Sequence, residues 1–506
     1  MMIQAQPTPE RELFLAARQH LDQIVDHLAG TESVTLATTE ENIRVQVTEL
    51  ARLLLQARLD VLFERERAQL AGGKGGRKRA RAQEVESQFG RVVERRHAVK
   101  RPGTRRWRYA LDEKLNVSAD LYSHPLRRRV SEEVADGSFD RALDRIARTT
   151  GGHVPKRQAE QLVVRASQDV ERYYAERPCP ANDTLSDRAV LALSSDGCAI
   201  RMVHEGLREP TRQAAEKVQE DVDTAVPGDP TAACAIKPHK TRRVVVTAVW
   251  EQERHTRSAS DIVANLRRRA DGLDNQEKAR APHPQRKRLT ASVEQDMSQR
   301  IAELFDEADR SDPARGRDTV VLVDGDPHQT ETILQEARRR QRSLTLVLDL
   351  LHAMHYLWVA SAAITAQHER STKAAVQNLV TRWTAMLLTG DPSRVIATIR
   401  GMATRQGPTG KARETVDDAT AYLHKRLAFI HYARFIAMGL PIASGVIEGA
   451  CRHVVRDRLD ITGARWNVQV AEAVLQLRAI RSSGDWDDYW RFHLQREAGR
   501  NYPAAA

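Results

Sequence analysis

Three short segments each set one acid in a stretch where a hard cation could find it: Leu191-Ala-Leu-Ser-Ser-Asp196-Gly197, Val320-Val-Leu-Val-Asp324-Gly325-Asp326 and Ser444-Gly-Val-Ile-Glu448-Gly449. The first two read as apolar strands closing on an aspartate and a glycine, and the third as the start of a helix carrying a glutamate. Mg²⁺ takes oxygen ligands and keeps several waters, so a few carboxylates held near one another suffice to bind it. Two such ions can hold the attacking and the leaving oxygen of an in-line phosphoryl displacement. The residue types therefore point to metal-dependent phosphodiester chemistry built from distant parts of the chain. Each acid alone has a plainer reading. Asp-Gly is a common turn dipeptide, and Glu448 follows Ser444, a potential helix cap, so it could serve only the helix dipole. Asp326 competes with Asp324 for the same role. A fourth acid, Asp349, stands three residues before His352 at a strand-to-helix junction, where the two either satisfy each other or support the site.

The elements that must position these acids follow from the pattern. Asp187–Asp196 reads as a strand and Ala199–His204 as its partner across a Gly197 turn, with Arg242–Trp250 as a third strand. The arginine-rich stretch from Glu251 to Thr290 reads as an exposed insertion. Val293–Arg310 is an amphipathic helix, Thr319–Val323 a strand, His328–Arg340 a helix and Leu344–Leu348 the fifth strand. That order predicts an α/β catalytic domain with a ribonuclease H-like mixed five-stranded sheet and helices on both faces. An all-helical insertion then separates Asp349 from Glu448. Open sheets place ligands beyond the carboxyl ends of their strands, which favours Asp196 and Asp324 over chance.

The N-terminal third reads as a mainly helical DNA-binding region. Residues 1–70 carry helical periodicity that suits two helices packed on each other or on a second copy of the chain. Gly72–Arg81 reads as a flexible basic joint whose Arg77, Lys78 and Arg79 could meet phosphates. Residues 91–109 read as a hairpin about Pro102-Gly103, with Arg105 and Arg106 interleaved with Trp107 in a manner that suits phosphate contact and base stacking. Ser138–Arg148, a Gly151-Gly152 turn and a helix opening at Pro155 resemble a helix-turn-helix, with Lys156 and Arg157 at the reading end. The resulting boundaries are 1–70 (helical), 71–127 (basic linker and hairpin), 128–185 (helix-turn-helix-like), 186–350 (first catalytic part), 351–440 (helical insertion) and 441–506 (C-terminal catalytic helices).

The 506 residues carry a formal charge of +11, a surplus that favours a polyanionic partner. The four cysteines, Cys179, Cys198, Cys234 and Cys451, show no zinc-site spacing and no disulfide framework. The chain opens without a signal-peptide pattern, and its longest apolar stretch is broken by Asp349, His352 and His355. A reducing, cytoplasmic and nucleoid-associated setting is the expectation.

The run Pro441-Ile-Ala-Ser-Gly-Val-Ile-Glu448-Gly-Ala-Cys-Arg-His-Val-Val-Arg-Asp-Arg-Leu-Asp-Ile-Thr-Gly-Ala-Arg465-Trp466 resembles the C-terminal signature of bacterial insertion-sequence transposases of the Kra-four family, relatives of the Mutator-like DDE transposases. Val323-Asp324-Gly325 and Val347-Leu-Asp349-Leu-Leu-His352 are similar to that family's second acid and the motif that follows it, although relatives continue Gly-Ala and a tryptophan where this chain has Gly325-Asp326-Pro327-His328. The resemblance spans roughly residues 187–490. It implies a DDE transposase that binds the terminal repeats of its element and uses two Mg²⁺ or Mn²⁺ ions for strand cleavage and transfer. Asp196, Asp324 and Glu448 would be its metal-binding triad and Asp349 and His352 an accessory pair. Arg465 and Trp466 would lie near the DNA, unless the tryptophan packs in the core. Assembly as a homodimer or larger on DNA is expected. The other classes to weigh are an inactive transposase-derived DNA-binding regulator and a ribonuclease H-like nuclease without joining activity.

Overall fold

The computed structural model describes residues 9–30, 35–71, 77–100, 107–178, 186, 188–223, 240–270, 282–366 and 372–503. The chain divides into two compact units: Met1–Glu176 together with Asp485–Ala506, and Arg177–Gly484.

In the first unit, α1 (Leu15–Gly30) and α2 (Leu36–Ala71) form a helical hairpin. A three-stranded sheet follows in the order β1 (Arg77–Ser87), β2 (Gly90–Lys100), β3 (Arg108–Tyr109). The basic joint is thus corrected from Arg77 onward. It is a strand, paired antiparallel with β2 from Arg77↔Lys100 to Ser87↔Gly90. The pairing β2 gains from its half-buried face overrides the weak strand propensity of Arg77-Lys-Arg-Ala-Arg81, and a cationic run is well suited to an exposed sheet edge. Among the described residues the expected hairpin shows the two pairs Ala98↔Tyr109 and Val99↔Arg108; its turn, with Arg105 and Arg106, lies outside the described residues.

Helices α3 (His124–Asp136), α4 (Phe139–Thr149) and α5 (Lys156–Ser167) follow in this unit. Ser138 caps α4 by accepting from the Arg141 N–H, and α4 buries Phe139, Ala142 and Ile146. The α4–α5 turn docks on the β1–β2 turn, where the Gly151 N–H donates to the Gln88 carbonyl at 2.8 Å. A Cβ at Gly151 would stand 2.3 Å from the Phe89 carbonyl oxygen, so only glycine permits that approach. The C-terminal helix Trp486–Asn501 closes the unit through buried ion pairs: Arg127 with Glu497, and Arg500 and His493 with Asp169.

The second unit is built on a five-stranded mixed sheet, ordered β6 (Gln285–Ser292), β5 (Thr241–Gln252), β4 (Val190–Arg201), β7 (Thr319–Val323), β8 (Thr345–Leu348). The first three strands run antiparallel to their neighbours, and β7 and β8 run parallel to β4. Two expectations are corrected here. Gly197 makes no turn, since β4 continues through it and pairs with β5 from Val190↔Gln252 to Arg201↔Thr241. The third strand of the meander comes from the supposed insertion, as residues 285–292. Its polar side chains suit a strand at the sheet edge, which periodicity of apolar residues does not reveal. Helices α6 (Met297–Ser311) and α7 (Pro327–Arg339) cover one face, burying Ile301, Leu304, Phe305 and Ile333 against Leu191, Leu193, Val245 and Val321.

After β8 come α8 (Leu350–Thr365), α9 (Lys373–Thr389), α10 (Pro392–Gln406) and α11 (Gly410–Lys425), and α8 packs on both α9 and α11. A short helix, α12 (Gly445–Ala450), runs into a π-helical turn, Cys451–Arg456. Then α13 (Val468–Ser483) lies along β6. No helix among the described residues is long and apolar enough to cross a membrane.

Candidate active site

The site forms where the parallel strands end. The pairing of β4 with β7 stops at Ser194↔Leu322. Asp196 lies two residues further on, and Asp324 follows the last residue of β7. Asp196 is still within β4, which continues paired with β5 to Arg201, so both acids stand just beyond the end of the parallel ladder. Glu448 is on α12, which contacts both β4 and β5.

Each acid has a distinct setting. The Asp196 Oδ1 accepts from the Gly197 N–H at 2.6 Å, and its Oδ2 accepts from the Cys451 thiol at 3.3 Å. That thiol is pushed well above its ordinary value by its hydrogen bond with Cys198, by burial and by the Asp196 charge, so it stays protonated and donates. The Asp324 Oδ1 accepts from the Asp326 N–H at 2.8 Å. Burial raises the Asp324 carboxyl, the Asp326 N–H and His352 oppose the rise, and the Asp196 and Asp326 charges add to it. Burial likewise raises Glu448; the Asp349 and Asp196 charges add to this and His352 opposes it. Asp196 thus acts electrostatically on both other acids, and so, in the opposite sense, does His352.

Asp326 is a helix cap. Its Oδ1 accepts from the Gln329 N–H at 2.8 Å, which starts α7. The loop between them is held from α11 and the residue that follows it. The Tyr422 hydroxyl donates to the Asp324 carbonyl, and Arg426 Nε donates to the Gly325 carbonyl at 2.7 Å. Tyr422 is itself stacked between Tyr356 and the Arg426 guanidinium. Gly325 sits at φ +86°, and a Cβ there would meet Arg426 and Tyr422 within 2.6 Å.

Asp349 and His352 do not satisfy each other. Asp349 is buried at the start of α8, where its Oδ1 accepts from the Leu351 N–H at 2.7 Å. Its Oδ2 accepts from both the N–H and the hydroxyl of Ser444, at 2.5 and 2.6 Å. The Ser444 hydroxyl therefore does not cap α12, as its position suggested; it ties the residue before α12 to the end of β8. Asp349 is a positioning residue for the helix that carries Glu448. Beside Glu448 a cavity of about 870 Å³ opens, lined by His255, Arg257, Lys287 and His453 among apolar residues.

Among the described residues, no three His, Cys, Asp or Glu side chains stand close enough together to enclose an ion. The donors nevertheless fit a hard divalent cation in kind: they are carboxylates, two of them raised by burial and by like charge, which a cation would relieve.

Sequence reasoning missed Tyr422, Arg426, Ser444 as a clamp and Cys451 as a donor. Only the stretch around Glu448 gave a signal for the last two. Trp466 is buried, with its Nε1–H donating to the Leu459 carbonyl at 3.0 Å and Arg458 over its ring, so it takes the packing role. Arg465 beside it is exposed. In the first unit Arg79 and Arg157 are exposed, Trp107 is half-buried, Lys78 donates to the Leu70 carbonyl, and Lys156 pairs with Asp140 at 2.9 Å. No family model and no curated protein matches this chain.

Proposed function

We propose that this chain is a DDE-type transposase with a ribonuclease H-like catalytic domain, acting on the ends of its own mobile element. The observation that carries the reading is the strand order of the sheet, three antiparallel then two parallel, with Asp196 and Asp324 just beyond the parallel ladder of β4 with β7 and Glu448 on a helix that contacts β4 and β5. The Glu448-Gly-Ala-Cys-Arg-His segment and the Asp349–His352 spacing support it as resemblances.

Asp196, Asp324 and Glu448 would hold Mg²⁺ or Mn²⁺, two ions in the full site. Such ions lower the pKa of a bound water or hydroxyl and neutralise a leaving oxygen. The chain's own residues perform the rest. Cys451 and the Gly197 N–H orient Asp196; Tyr422 and Arg426 fix the loop behind Asp324; Asp349 and Ser444 set the start of the Glu448 helix. His352, whose charge would offset those of Asp324 and Glu448, would support the acids. The cationic cavity beside Glu448 suits a phosphodiester backbone. No covalent enzyme intermediate is required. The exposed Arg79, Arg157 and Arg465, with Lys156, would meet DNA phosphates.

The test is Mg²⁺-dependent cleavage of element-end DNA by the wild type and by Glu448→Gln. Cleavage lost in the variant with DNA binding retained is the expected result. DNA bound but left uncut by both, with Mn²⁺ also supplied, would replace this reading with that of a DNA-binding regulator. A strand-transfer product separates a transposase from a nuclease.

A further inference from the structure

Arg257 lines the cavity beside Glu448 and has no carboxylate partner among the described residues. Its neighbours in chain and sheet do: Arg254 pairs with Asp318, and Arg286 with Glu251. The Arg257 Nη2 donates to the Leu440 carbonyl at 3.2 Å, while its Nε is buried and finds no acceptor. Burial pushes the guanidinium below its ordinary value, and no carboxylate offsets the effect. A cation buried without a counter-ion costs free energy that an anion arriving from outside would recover. The backbone leading to Arg257 is fixed in advance. The His255 N–H donates to the Gly439 carbonyl at 3.0 Å, and Arg254 Nη1 donates to the Met438 carbonyl at 2.9 Å. Gly439 sits at φ +70°, and a Cβ there would stand 2.9 Å from the Arg254 Cβ, so glycine permits this approach. A second cation, Lys287 of β6, lines the same cavity and makes no hydrogen bond or ion pair among the described residues.

The walls that accompany these cations are apolar. Leu266 of the helix Ala259–Ala270, Leu351 of α8 and Val446 of α12 line the cavity and are only half-buried. Glu448 is the one carboxylate among the lining residues. The volume of about 870 Å³ lies within the roughly 300–1,000 Å³ of sites that close over a small ligand, so the cavity holds a few nucleotides and not a double helix. A double helix presents phosphates and groove edges but keeps the faces of its bases stacked inside, where apolar walls gain nothing from them. A single strand offers both kinds of surface: phosphates to the cations and unstacked base faces to the walls.

We infer that this cavity binds a few nucleotides of single-stranded DNA, with Arg257 and Lys287 holding the phosphates, so that the strand reaches Glu448 unpaired. The inference rests on the transposase reading for the choice of DNA, but its test uses neither metal nor element ends. Fluorescein-labelled pentathymidylate is titrated with the purified full chain in EDTA and read by anisotropy, beside a blunt-ended hairpin duplex. Arg257→Gln and Lys287→Gln should each weaken pentathymidylate binding about tenfold. Together they should lower the slope of log binding constant against log salt by about 1.4, the single-strand value for two phosphates. Binding of the duplex should not change. A wild type that does not bind pentathymidylate, binding that both variants keep, or an equal loss on the duplex would each overturn the inference. Should Arg257→Gln lower the unfolding midpoint, Lys287→Gln decides alone, because that side chain has no partner to lose. The two readings fail separately. Element-end cleavage that depends on Glu448, with pentathymidylate binding untouched by the variants, overturns only the cavity assignment. Binding that the variants weaken, in a chain that cuts no DNA, supports the cavity and removes the transposase.

Discussion

Replacing Asp349 by alanine should loosen the Glu448 helix without touching any acid of the site. The carboxylate accepts three hydrogen bonds: one caps α8 and two hold Ser444. Alanine leaves the buried Ser444 N–H and the half-buried Leu351 N–H without that acceptor. A lost cap costs about 1 kcal/mol, and a charge-assisted bond to a buried N–H about 1.5–3 kcal/mol. The total is on the order of 3–5 kcal/mol, which for a domain of this size lowers the unfolding midpoint by about 10 °C. Ser444→Ala removes only the hydroxyl bond and should cost about 1 kcal/mol. In the Asp349→Ala background that hydroxyl has no carboxylate to serve, so the two changes together should cost about 1 kcal/mol less than their sum. Calorimetry of the wild type, both single variants and the double variant measures this coupling. DNA cleavage, assayed well below each midpoint, should fall at least tenfold in Asp349→Ala, because α12 starts at the residue after Ser444. Strict additivity, or a midpoint within about 2 °C of wild type, would refute the clamp.

Cys451→Ser should keep cleavage within about threefold, because a hydroxyl still donates to Asp196; loss of all cleavage in that variant would mean the thiol does more than orient the acid. Tyr422→Phe removes the bond to the Asp324 carbonyl but keeps the stacking on Tyr356, and should destabilise by about 1 kcal/mol while reducing cleavage more than DNA binding. Neutralising Arg79 and Arg157 together should reduce the slope of log binding constant against log salt by about 2, read by fluorescence anisotropy; an unchanged slope removes both from the DNA surface. In the first unit, burial favours neutral Asp169 and Glu497, but His493 and Arg500 beside Asp169, and Arg127 beside Glu497, outweigh it and hold both at about 2. Their folded values lie below the ordinary 3.8 and 4.5, so the stabilisation is complete above those values and disappears as pH falls from there towards 2. Urea unfolding should show that unit losing on the order of 2–3 kcal/mol per group across this window; a flat profile would show that neither pairing contributes.

The apolar runs leading to Asp196 and Asp324 and the small residues about Glu448 were enough to propose the three acids, because a carboxylate in an apolar strand or a glycine-flanked turn stands out locally. Helices α4, α5, α6 and α7 were equally legible from their periodicity. What local pattern could not give was pairing. Asp196-Gly197 reads as a turn by composition, and only the ladder with β5 shows it within a strand. Residues 285–292 and 77–81 are polar or cationic, so partners elsewhere in the chain, not propensity, make them strands. The α7 cap gives Asp326 a structural use, and Ser444, ninety-five residues away, gives Asp349 one. Contacts of that range depend on how the helical insertion folds back over the sheet, which sequence spacing does not encode. The sequence thus determined which groups could do the chemistry. The tertiary structure decided which of them face the site and what holds each one still, because orientation follows from long-range hydrogen bonds rather than from neighbours in the chain.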